Sequence, residues 1–187
     1  MTEPTLSQAQ ADMRHAYLDG APGIFASGSV WLVAGGVAAY ATASQAVWTL
    51  LIGGVLIHPL GVVLCKLLGR SGAHQAGNPL ARLAGEGTLW MLTAIAIAYG
   101  MHVLRIEWFF PAMLLIIGGR YLSFQTLFGL RVYWVFGAVL CVAGLALALL
   151  RAPVAVSALA GAAIELAFAG IVFAHARAKT QLPGEFK

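Results

Sequence analysis

Six apolar runs, each about the 17 to 25 residues that an α-helix needs to cross a hydrocarbon core, follow one another with little chain left between them. They extend approximately over Pro22–Ala41, Ala46–Leu68, Gly87–Leu104, Trp108–Phe128, Val132–Leu150 and Val154–Ala174. None alternates apolar and polar residues as the strands of a membrane barrel would. The pattern predicts an all-α membrane protein, a bundle of six transmembrane helices. Hydrophobic residues make up 60% of the 187 positions and charged residues 10%, against roughly a quarter charged in soluble domains, so a soluble fold is excluded. The expected organisation is one domain over 1–187: an amphipathic cytoplasmic segment over 1–20, the bundle over 22–174 and a cytoplasmic tail over 175–187.

The formal charge of +4 reports topology rather than nucleic-acid binding. Arg14, Lys66, Arg70, Arg82, Arg131, Arg177, Lys179 and Lys187 fall on one side, and only Arg105 and Arg151 fall opposite. The positive-inside rule then puts both termini in the cytoplasm. The N-terminus has neither the basic start nor the early apolar core of a cleaved signal, so the first span is expected to remain in the mature chain. Cys65 and Cys141 stand far apart without a CxxC pair and read as packing residues.

Leu6, Met13 and Tyr17 recur near helical spacing before the first span, which suggests a short helix lying on the cytoplasmic surface. In the GRSGAHQAGNP loop, Asn78 followed by Pro79 has the form of a helix N-cap with proline in the first turn. No strand precedes this loop and no GK[ST] follows, so its glycines are not read as a phosphate loop.

A threefold pattern runs through the spans. The second, fourth and sixth align on LLIGGVLIHPL, LLIIGGRYLSF and SALAGAAIELA, which makes His58, Ser123 and Glu165 equivalent. Trp31, Trp90 and Trp134 match in the odd-numbered spans. As a true repeat, this implies three helical hairpins around a pseudo-threefold axis.

Three ionisable residues lie near mid-span: His58, Arg120 and Glu165. Insertion there costs at least ~2.5 kcal/mol, so such groups face a bundle interior or a cavity and mark candidate functional sites. Arg120 must find an anion, draw in water or snorkel, and by depth Glu165 is its expected partner. Arg120 and Ser123 share one helix face, with Tyr121 and Gln125 beside them. Pro59, next to His58, frees a backbone carbonyl one turn earlier. Glu86 and Trp90, one turn apart, would stand at a cytoplasmic entrance; a solvated first-turn glutamate is the plainer reading. Trp108, Tyr133 and Trp134 read as interfacial anchors, and His102, Arg105 and Glu107 as an outer connection. No second histidine or thiolate stands at ligand spacing from His58, so no metal is expected, and nothing implies a cofactor.

The segments AYLDGAPG, IHPLGVVLCKLLGRSG, NPLARLAGEGT and FPAMLLIIGGRYLSFQTLFG resemble those of a small bacterial six-span inner-membrane family of unassigned function. The three-hairpin pattern is similar, more loosely, to the acid-resistance membrane proteins called HdeD. The first resemblance implies a single-domain inner-membrane protein and brings no activity with it.

These residues suit a small-molecule or ion transporter or channel best, with membrane lipid and a small anionic or protonatable ligand as partners and self-association left open. A lipid-acting membrane enzyme, with His58 or Glu165 as base, is the alternative, although the chain has no GxSxG, HExxH or paired-carboxylate motif. The third class is a non-catalytic scaffold or stress protein whose buried charges only specify packing.

Overall fold

The computed structural model describes residues 4–180 and, among them, contains only helices and their connections. Helix α1 (Leu6–Tyr17) is followed by six long helices: α2 (Ala21–Tyr40), α3 (Ala43–Leu67), α4 (Leu80–Leu104), α5 (Phe109–Phe128), α6 (Val132–Leu149) and α7 (Val154–Thr180). The all-α membrane bundle expected from the apolar runs is therefore present. Helix α7 carries on to Thr180, through part of the expected tail, and residues 181–187 lie outside the described residues, as do 1–3. Among the described residues five stretches are long and apolar enough to cross a membrane, α1 and α2 counting as one of them. Helix α5 falls below that hydropathy because Arg120, Tyr121, Ser123 and Gln125 occupy it. Its neighbours shield it, and a helix shielded in this way need not be uniformly apolar.

Packing is uneven. Helix α2 lies closely against α7 and α3, and α5 against α6 and, less extensively, α4. Small residues permit the closest approaches. A Cβ on Gly118 would come within 2.8 Å of the Gly137 carbonyl, and one on Gly161 within 2.5 Å of the Trp31 ring. Trp31 is fully buried and meets Phe110 edge-on at 5.6 Å. Beyond a Trp48–Tyr99 ring contact at 6.0 Å, α3 and α4 scarcely touch.

Helix α1 does not rest its apolar face on lipid. Ala9, Met13 and Ala16 are buried under the bundle, and its polar residues tie distant elements together. Arg14 donates to the Phe128 carbonyl at 2.6 Å and Gln10 to the Thr126 carbonyl at 2.9 Å, satisfying groups at the C-terminal end of α5. Asp12 accepts from the Asn78 side chain at 2.7 Å and from the Gln75 amide at 3.0 Å. Tyr17 bonds His74 at 2.9 Å. The Asn78 side chain accepts from the Leu80 amide at 3.0 Å, although the helix is capped at Pro79, one residue later than the Asn-Pro pair suggested. Between α1 and α2, Leu18, Asp19 and Gly20 all take positive φ. At Gly20 (φ 93°) any side chain would also collide with the Tyr133 hydroxyl.

Burial does not repeat three times along the chain. Trp31 is in the core whereas Trp90 and Trp134 are 57% and 60% exposed. Of the residues aligned with one another, His58 is exposed, Ser123 half-buried and Glu165 buried. Tyr133, expected at the interface, is fully buried and donates to the Asp19 carbonyl.

Candidate functional site

The deepest ionisable group is Glu165, with 0% of its surface exposed. It sits one turn beyond Gly161 on the α7 face that meets α2, with Gly28 packed on its side chain. Among the described residues no donor meets either carboxyl oxygen at full hydrogen-bond geometry, Ser27 coming nearest to doing so. Ser27 of α2 and Arg120 of α5 are the polar side chains that act on it, and Ser27 also neighbours the Tyr121 hydroxyl. Tyr121 is buried and packs on Phe136 at 4.1 Å.

Arg120 is half-buried between α4 and α5. Its Nη2 donates to Thr88 Oγ1 at 3.0 Å and its Nη1 reaches the Met91 sulfur at 3.1 Å, while Nε is buried without a partner. The Phe124 ring lies 5.5 Å from its guanidinium carbon. Among the described residues the ion pairs are Arg82–Glu86 at 3.1 Å and Arg105–Glu107 at 3.4 Å. The expected Arg120–Glu165 ion pair is thus corrected to a longer-range attraction. The reason is rotational: Glu165 is committed to the α2–α7 contact, whereas Arg120 points toward α4.

The other sequence candidates divide in the same way. Ser123 bonds back to the Arg120 carbonyl at 2.6 Å, and Gln125 is half-buried further along α5. Glu86 pairs with Arg82 on the exposed surface of α4, and Trp90 points outward, so neither joins Arg120. His58 does not enter the Glu165 cluster; it is exposed on α3 beside Pro59. Thr88, Met91 and Ser27 were missed. Each is an ordinary residue of an apolar run; Thr88 and Ser27 offered only a hydroxyl as a signal, and Met91 none.

Between the N-terminal half of α3 and the C-terminal half of α4 runs an open cleft of about 480 Å³, lined by Trp48, Leu51, Leu92, Ile95, Ala96 and Tyr99.

Long apolar helices that enclose Glu165 and half-bury Arg120 define an integral membrane protein. No curated protein and no solved structure matches this chain. A family model, described as a family of unknown function (DUF7010), matches residues 6–175, and the chain belongs to that family.

Proposed function

We propose that the protein is a transporter or channel for a small anionic or protonatable ligand, seated in a bacterial inner membrane with both termini cytoplasmic. The basic residues concentrated on one side support that orientation. The carrying observation is Arg120, a mid-span cation whose hydrogen-bond acceptors are a hydroxyl and a thioether and whose Nε is unfilled. A thioether is a weak acceptor. A carboxylate or phosphate would take Nε together with the adjacent Nη2, replacing the Thr88 hydroxyl there, the forked geometry that guanidinium offers to planar anions. Glu165, Tyr121 and Ser27 lie behind this position and supply a protonatable group to couple with ligand movement.

Uptake of small carboxylates and of phosphate into proteoliposomes under a pH gradient tests the assignment. Arg120→Ala abolishes uptake, Arg120→Lys recovers only part of it, and Glu165→Gln leaves binding intact while removing the dependence on the gradient. Uptake unchanged in both Arg120→Ala and Glu165→Gln sinks this reading. The cleft between α3 and α4 favours a second one, a lipid-acting enzyme, because it opens sideways toward the bilayer; a hydrolysed lipid product appearing with the purified protein would support it.

A further inference from the structure

The cleft and the Thr88–Arg120 contact lie along one face of α4. On α4, Thr88, Leu92, Ile95 and Tyr99 follow one another at spacings of four, three and four residues, so they share a helix face. The last three line the cleft, and the first holds Arg120. On α3, Leu51, Val55 and His58 repeat the same spacing, with Leu51 in the cleft wall and the other two exposed. The Trp48–Tyr99 contact sets the register of these antiparallel faces. From it, His58 lies ten residues down α3 and Thr88 eleven down α4, about 15 and 16 Å along helices rising 1.5 Å per residue. His58 and the Thr88–Arg120 pair therefore end the same seam at the same depth. Gly54, one turn before His58, has nothing within 4 Å of where a Cβ would stand, so the seam stays open there.

We propose that this seam is the lateral entry and chain-binding site for a single-chain amphiphile with an anionic head, a long-chain carboxylate drawn from the bilayer. Arg120 and His58 hold the head, and the chain lies between Leu51 on one side and Leu92 and Ile95 on the other. The proposal rests on the reading of Arg120 as an anion site and names the substrate class of that site. Charge complementarity selects the occupant: the polar end of the seam offers a cation with no anion within ion-pair reach among the described residues, and the rest offers apolar and aromatic surface. A phospholipid with two chains would need a second groove, and a short anion would leave the cleft to bulk lipid. The head would sit deeper than the interface where such a group normally rests, which suits a ligand in passage rather than a boundary lipid.

The test is photo-crosslinking in proteoliposomes with an 18-carbon carboxylate carrying a diazirine at mid-chain, mapped by peptide mass spectrometry. Adducts should concentrate on Leu51, Val55, Leu92 and Ile95, and oleate should compete while methyl oleate and acetate do not. Labelling should fall roughly tenfold or more in Arg120→Ala, the scale of losing a charged hydrogen-bond partner. It should fall in Ala96→Phe as well, which fills the cleft at an exposed position and leaves Arg120 untouched. Adducts spread evenly over the lipid-facing helices, or labelling indifferent to both substitutions, would overturn the proposal. Competition by acetate as strong as by oleate would overturn the chain site yet leave Arg120 an anion site. Labelling that depends on Arg120 alongside unaltered uptake of small anions would remove the transport reading and leave the amphiphile site standing.

Discussion

Helices α2, α5, α6 and α7 form one kind of interior, and the seam between α3 and α4 forms another. Both are built from apolar helices of similar length, yet in the first a Cβ on Gly118, Gly137 or Gly161 would press into a neighbour, whereas in the second Gly54 and Gly100 have nothing near them. Hydrophobicity cannot account for the difference, since lipid is as apolar as leucine. Close approach decides it. The polar groups follow the same division: Glu165 is sealed in the tight half, and Arg120 stands at the border with the open one.

The strongest way to break this comparison is overpacking. Gly161→Leu pushes a side chain into Trp31 and should cost more than the ~1 to 3 kcal/mol of ordinary core overpacking, because backbone as well as side chains must part. Loss of the folded species in detergent size-exclusion chromatography is the expected outcome, while Ala96→Phe in the seam elutes normally. Next in size, Trp31→Ala should destabilise by ~3 to 5 kcal/mol, whereas Trp90→Ala and Trp134→Ala, both exposed, stay within ~0.5 kcal/mol. Thermal unfolding in one detergent compares all three, and equal shifts would mean that the two regions pack alike. Asn78→Ala removes the bonds to Ala9, Asp12 and Leu80 and should cost ~1 to 3 kcal/mol, read by faster proteolysis of the loop between α3 and α4. Smallest of all, His58→Ala should leave stability within ~0.5 kcal/mol while lowering labelling by the photoreactive carboxylate. A large stability loss would place His58 in a packed interface.

The division between tight and open halves is only partly visible in the amino-acid order. Span lengths, and hence the helices, follow from runs of apolar residues and the charges that punctuate them. The depth of Arg120 and Glu165 follows too, since counting residues along a span gives depth. Azimuth is different. Gly54, His58, Gly61 and Cys65 share one helix face, the spacing of a helix contact or the lining of a narrow cavity, yet only Gly61 and Cys65 meet the bundle, because periodicity shows which residues share a face and not whether a neighbour covers its whole length. The same gap turned Arg120 toward Glu165 on paper, when its closest acceptors proved to be Thr88 and Met91. The role of α1 was also hidden. Its spacing marks an apolar face, but lipid and protein interiors reward that face equally.

The hydrogen bonds made by α1 carry a consequence for timing. Gln10 is bound to Thr126, 116 residues further along, and a chain synthesised at roughly 5 to 20 residues per second takes about 6 to 23 seconds to produce that partner. For much of that interval the first helix has only the loop after α3 to bind, and the end of α5 is still to be made. A ribosome paused after α3 would therefore hold a nascent chain whose N-terminal segment is open to protease, and protection would arrive in two steps, first with the loop that follows α3 and then with the end of α5.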